Sequence, residues 1–98
     1  MILVTARMRC RAGAEDDFIA AAAAVTAPTL AEAGCISYVC LRDVADSSAF
    51  MFVEEWEDRE SLGAHAGSSH LREFQGAARP LLESQSVTLH TVEKSRTL

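Results

Sequence analysis

Two segments of this chain repeat with a period of two yet carry apolar side chains on both of their faces, and that pattern restricts the folds open to it. From Ile2 to Cys10, the residues Ile2, Val4, Ala6, Met8 and Cys10 alternate with Leu3, Thr5, Arg7 and Arg9. From Phe50 to Trp56, the residues Phe50, Phe52, Glu54 and Trp56 alternate with Met51, Val53 and Glu55. Successive side chains of a strand point to opposite sides of its sheet, so both segments read as strands. A chain of 98 residues, 1–98, makes a single domain. Its helices can cover only one side of the sheet, and the other side would expose more apolar surface than monomers usually tolerate. Pairing two copies sheet to sheet removes that surface from water, so the expectation is a homodimer.

The other elements follow from spacing. Arg11-Ala12-Gly13 ends the first strand, and Glu15, Asp16 and Asp17 then place negative charge where a helix N-terminus is partly positive. Phe18, Ala22, Val25 and Thr29 recur at helical spacing through the alanine-rich stretch, alanine being the best helix former. Pro28 is expected to bend this helix or end its regular part, and Gly34 to stop it. Ile36 to Arg42 reads as a second strand, with Tyr38 and Cys40 on the face of Ile36, followed by a polar loop from Asp43 to Ser48. Asp58 is a fitting N-cap for a short helix through Leu62 to His65. Gly67-Ser68-Ser69 interrupts it, and Ser68 or Ser69 caps a further helix with Leu71, Phe74 and Ala78 on one stripe, closed by Pro80. Val87 to Glu93 is the last strand. The order β-α-β-β-α-β is that of an α+β, ferredoxin-like fold: a four-stranded antiparallel sheet with its helices on one face.

Charge narrows the partners. A net charge of −5 and a pI near 5.0 argue against nucleic acid, which selects clustered Lys and Arg. The one basic stripe, Arg7, Arg9 and Arg11, reads as a solvated or ion-paired edge. No apolar run reaches membrane-spanning length, and the N-terminal apolar stretch, broken by Arg7, is a strand rather than a leader. Cys10, Cys35 and Cys40 are odd in number and lack both a C-x-x-C pair and a nearby histidine cluster. They fit free thiols in a reducing cytoplasm better than a disulfide framework or a zinc site. With no G-x-G-x-x-G, P-loop or metal-ligand set in the sequence, neither a cofactor nor a metal is expected.

The runs Gly34-Cys35-Ile36-Ser37-Tyr38, Glu54-Glu55-Trp56-Glu57-Asp58, Ala64-His65 and Ser69-His70-Leu71-Arg72-Glu73-Phe74 together resemble the antibiotic biosynthesis monooxygenase family, most of all its quinol-monooxygenase branch. The resemblance spans nearly the whole chain. It implies a dimeric α+β barrel, the same assembly that burial suggests. It also implies a substrate cleft between sheet and helices, with Trp56, His65 and His70 near it and Tyr38, Phe52, Leu62 and Phe74 as its substrate-binding wall. Each of the three has a plainer reading beside that one. Trp56 serves equally as core and His70 as a local hydrogen-bonding group in the first turn of a helix; His65, also open to a structural reading, sits just before a helix break where a cleft can open. His90, on the last strand, reads as structural.

Cofactor-free oxygenases of this family work because a deprotonated quinol or anthrone passes an electron to dioxygen by itself. The protein then supplies an apolar pocket, a base and a donor. Histidine suits the base, its ordinary pKa being about 6.5, and Tyr38 or an arginine suits the donor. The aromatic-polyketide oxygenases carry Asn and Tyr where this chain has Phe52 and Leu62, and the haem-degrading branch carries Asn and His where it has Arg7 and Gln75. The resemblance therefore implies a cofactor-independent monooxygenase acting on a small aromatic substrate, a quinol or anthrone-like polycyclic phenol, and not on haem. Two alternatives stand beside it: an isomerase of a small phosphorylated ketone, with Arg42, Arg72 and Arg79 for the anion, and a non-enzymatic ligand-binding dimer.

Overall fold

The computed structural model describes all 98 residues. The chain forms β1 (Ile2–Cys10), α1 (Glu15–Leu30), β2 (Cys35–Arg42), β3 (Ala49–Trp56), α2 (Arg59–Ala66), α3 (Ser69–Ala78) and β4 (Leu82–Thr91), with a single 3-10 turn, Arg79–Leu81, before β4. The strands make one antiparallel sheet in the order β2-β3-β1-β4. This is the ferredoxin-like arrangement, with the second helical region divided into α2 and α3. Residues Ile2, Val4, Ala6 and Met8 lie opposite Trp56, Glu54, Phe52 and Phe50. These even-numbered side chains share the helix-covered face.

The core forms where α1 crosses that face. The Phe18 side chain from α1 is fully buried, with its ring centroid 4.7 Å from Phe50 and 6.4 Å from Phe52. It also meets Phe74 of α3 edge-on at 6.0 Å. Two caps match the sequence reading: the Asp58 carboxylate accepts from the Ser61 amide at 2.8 Å, and the Ser68 hydroxyl accepts from the Leu71 amide at 3.3 Å. Gly34 adopts φ +80°, and a Cβ there would fall 2.0 Å from Ser61 Oγ. Only glycine meets both demands, so this turn sets α2 down against the end of α1.

Pro28 sits in the last turn of α1, which ends at Leu30. Two expectations need correction. Ile36 does not share the face of Tyr38: the register shifts between Cys35 and Ser37, and Ile36 is 51% exposed against 5% for Tyr38. A bulge adds one residue, which turns its side chain out of the alternation. The last strand begins at Leu82 rather than Val87 and ends at Thr91 rather than Glu93. Its first half, Glu83-Ser84-Gln85-Ser86, has no strand-like composition. It pairs because β1 offers free backbone groups along its whole length.

The face away from the helices holds Leu3, Thr5 and Arg7 of β1, Met51 and Val53 of β3, and Val39 and Leu41 of β2. No helix lies over it, and Val39 and Leu41 stay exposed.

Candidate active site

On the helix side, α1 packs over β2 and β3 with α3 beside it, and most of edge strand β4 is left open. The space between α2–α3 and β1–β4 is a cleft of about 300 Å³. Val4, Ala6 and Met8 of β1 run along its floor, flanked by Glu54 and Phe52 of β3 and by Leu89, Val87 and Gln85 of β4. Tyr38 closes one side. Leu62, His65 and Ala66 of α2 and Leu71, Phe74, Gln75 and Ala78 of α3 form the roof, with Arg79 and Leu82 at the far end. Phe52 is its aromatic centre, with ring centroids 5.4 Å from Tyr38 and 5.3 Å from Phe74.

At the Val4 end the apolar lining gives way to a polar cluster. His65 is buried, its ring packed over Trp56 with centroids 4.8 Å apart and its edge toward Tyr38 at 5.5 Å. Its Nδ1 lies 2.6 Å from Glu32 Oε2, and His70 Nε2 lies 2.9 Å from the same oxygen. An ionised carboxylate can only accept, so both facing nitrogens donate to it. Neutral His65 then carries its lone pair on Nε2. That atom has no protein partner, and no buried nitrogen or oxygen is left unpaired, so Nε2 opens to the cleft.

Glu32, His65 and His70 bring three potential ligand atoms within 4.8 Å of one another. Their contacts make them a hydrogen-bonded triad with Glu32 shared between two imidazoles. The sequence reading saw no such cluster, because Glu32 precedes His65 by 33 residues and His70 by 38.

Glu54 is the only acid on the cleft wall. Its Oε1 accepts from the Trp56 indole N–H at 3.0 Å. Burial lifts its carboxyl above the ordinary range, and the indole bond and nearby His65 offset only part of that rise. Burial, followed by the proximity of Glu54, also pushes the Tyr38 phenol well up, so it stays an O–H donor at neutral pH. The three cysteines are free; burial pushes Cys40 up to about 11 and raises Cys10 and Cys35 as well, which disfavours the nucleophilic thiolate.

Of the residues picked out by resemblance, His65, Tyr38, Phe52, Phe74 and Leu62 meet in the cleft wall. Trp56 does not line it. It is fully buried behind His65, and acts on the cleft by supporting that ring and holding Glu54. His70 also stands outside the wall and reaches it through Glu32. Of the arginines considered for an anion, Arg79 borders the cleft, whereas Arg42 lies over the Phe50 ring at 5.2 Å. His90 pairs with Leu3 on edge strand β4. Sequence reasoning passed over Glu54 and Glu32. Glu54 had a signal, a carboxylate set between Phe52 and Trp56 on an otherwise apolar stripe; Glu32 had none.

The sequence pattern of a family described as antibiotic biosynthesis monooxygenase matches residues 1–77. The chain belongs to the antibiotic biosynthesis monooxygenase family. An uncharacterized protein of Synechocystis sp. is 26% identical over 98 residues, which cover 99% of this chain and 67% of that protein. A Mycobacterium tuberculosis protein of known structure is 27% identical, with a TM-score of 0.91 and 98% of both chains covered. A crystal structure of an antibiotic biosynthesis monooxygenase, 24% identical, shares the fold with a TM-score of 0.89 over 96% of this chain and all (100%) of the other. The family match takes in Glu32, Glu54, His65 and His70. Arg79, Leu82, Gln85, Val87 and Leu89, which finish the cleft of this family member, fall beyond it.

Proposed function

We propose that the protein is a cofactor-independent monooxygenase that oxidises a small quinol or related phenol with dioxygen. The observation that carries this reading is an aromatic-walled cleft ending at an imidazole whose Nδ1 is held by Glu32 and whose Nε2 is free. His65 Nε2 takes the proton of a substrate hydroxyl, leaving the electron pair on the ring oxygen. The electron-rich anion then reduces dioxygen and is itself oxidised. One oxygen atom enters the ring, and the other leaves as water with two of the substrate's hydrogens. Glu32 keeps the tautomer and steadies the imidazolium, as the carboxylate of a catalytic triad does. Tyr38 stands beside the same point as a donor.

Other features favour this over the alternatives. Phe52, Phe74 and Tyr38 wall the cleft with aromatic rings and no basic nest for a phosphorylated ketone, and the cleft is not filled by its own side chains, as a purely structural domain's would be. The face carrying Leu3, Val39, Leu41, Met51 and Val53 supports pairing with a second copy. The free thiols suit a cytoplasmic setting. No helix is long and apolar enough to cross a membrane.

Oxygen uptake by the metal-stripped protein with reduced naphthoquinols and anthrones tests the reading. Saturable uptake above the uncatalysed rate, lost in His65→Ala, is expected. A lack of uptake across the panel would overturn it in favour of the isomerase or the binding module.

A further inference from the structure

The cleft is polarised along its length. Its floor follows β1 from Val4 to Met8, a distance of about 13 Å at roughly 3.3 Å per residue. At the Val4 end stand Glu54, across the sheet on β3, and Leu89 on β4; at the Met8 end stands Gln85. The only carboxylate of the wall is therefore at one end. Arg79, just past α3, lies with Leu82 at the other and joins no salt bridge. Between them the lining is apolar and aromatic. An anion placed at the inner end would meet Glu54, with Glu32 behind His65. A hydroxyl there would instead donate to the free Nε2 of His65 or to a Glu54 carboxylate oxygen, both of which accept.

We propose that the cleft reads its ligand end to end, taking a hydroxylated bicyclic aromatic acid with its uncharged hydroxyl at Glu54 and His65 and its carboxylate at Arg79. This deepens the monooxygenase reading and rests on it for the aromatic ligand. It assigns Glu54 the role of excluding anions from the reacting end, so that the ionised group of a substrate is held outward while its hydroxyl faces the base. The volume agrees, since about 300 Å³ is at the small end of ligand sites and suits two fused rings better than three. The groups facing Glu54 are Trp56 on its own strand, Tyr38 and Cys35 on β2, Val4 on β1, His65 on α2, and Glu32 from the segment after α1. His65 is the one among them that carries positive charge when protonated.

The test is direct binding, by calorimetry at mildly alkaline pH, of three probes: 2-naphthol, 6-hydroxy-2-naphthoate and 2,6-naphthalenedicarboxylate. The last two differ only in the group forced to the inner end. Wild-type protein is expected to prefer the hydroxy acid by about tenfold or more, and Glu54→Gln to bring the two within about threefold. Arg79→Gln is expected to weaken the hydroxy acid by about fivefold and leave 2-naphthol nearly unchanged. An undiminished preference in folded Glu54→Gln, or a hydroxy acid indifferent to Arg79→Gln, overturns the proposal while leaving the aromatic site standing. If Glu54→Gln fails to fold, Glu54→Met takes its place with the same expectation. Failure of 2-naphthol itself to bind wild-type protein removes the aromatic-ligand reading and this inference together.

Discussion

Phe52 and Val53 are neighbours in the chain, yet their side chains belong to two different problems. Phe52 is 1% exposed, enclosed by Phe18, Tyr38 and Phe74, and its face also holds Glu54 and the cleft. Val53 lies between Thr5 and Val39 on the face that no helix covers. Both faces are apolar, but only the first is shaped. Aromatic rings of different tilt leave a cavity there, and a few polar groups are fixed inside it. The second is a low aliphatic surface whose value lies in being covered by something flat. One strand thus supplies a site with one set of side chains and a docking surface with the other.

The largest effect expected is on the covered side. Trp56→Ala should cost about 3–5 kcal/mol, because it empties a fully buried volume and removes the donor that Glu54 relies on. Urea denaturation measures it, and a near-unchanged midpoint would mean that the face is less tightly packed than its rings suggest.

Val53→Asp probes the other side. If that surface joins two copies, the variant should sediment as a folded monomer where the wild type is a dimer, and its melting temperature should no longer depend on concentration. A wild-type monomer at micromolar concentration would break the contrast between the faces. The uncovered one would then be merely tolerated.

Glu54→Gln sharpens the account of the covered face through pH. The folded-state pKa of Glu54 is raised above its ordinary 4.5, so the native state holds this proton more tightly than the unfolded chain does. The stability it contributes is full below that ordinary value and is lost as pH rises through the raised one. Relative to wild type, the glutamine variant should therefore gain stability from acid toward neutral pH. A gap that stays constant would remove burial as the cause.

The smallest effect is expected at the rim of the uncovered face. Arg9 and Asp46 are 2.7 Å apart but both are well exposed, so Arg9→Ala should leave the melting temperature almost unmoved. A clear drop would show that this pair belongs to a buried contact between copies.

The contrast between faces was legible in the chain itself, since alternation depends only on neighbouring residues pointing to opposite sides. The strands β1 and β3, the α1 stripe from Phe18 to Thr29 and the caps at Asp58 and Ser68 are likewise local, and the sequence carries them plainly. It also marked His65, Tyr38, Phe52, Leu62 and Phe74. The bulge at Ile36 and the early start of β4 were not legible, because pairing with a distant strand decides them and local preference does not. The same holds for the site. Glu32 meets His65 and His70 only because the turn at Gly34 seats α2 against the end of α1, and Trp56 serves behind the cleft because His65 lies across it. Patterning within a segment fixes which residues are buried together. Which polar groups come within hydrogen-bonding reach is settled by how the segments stack.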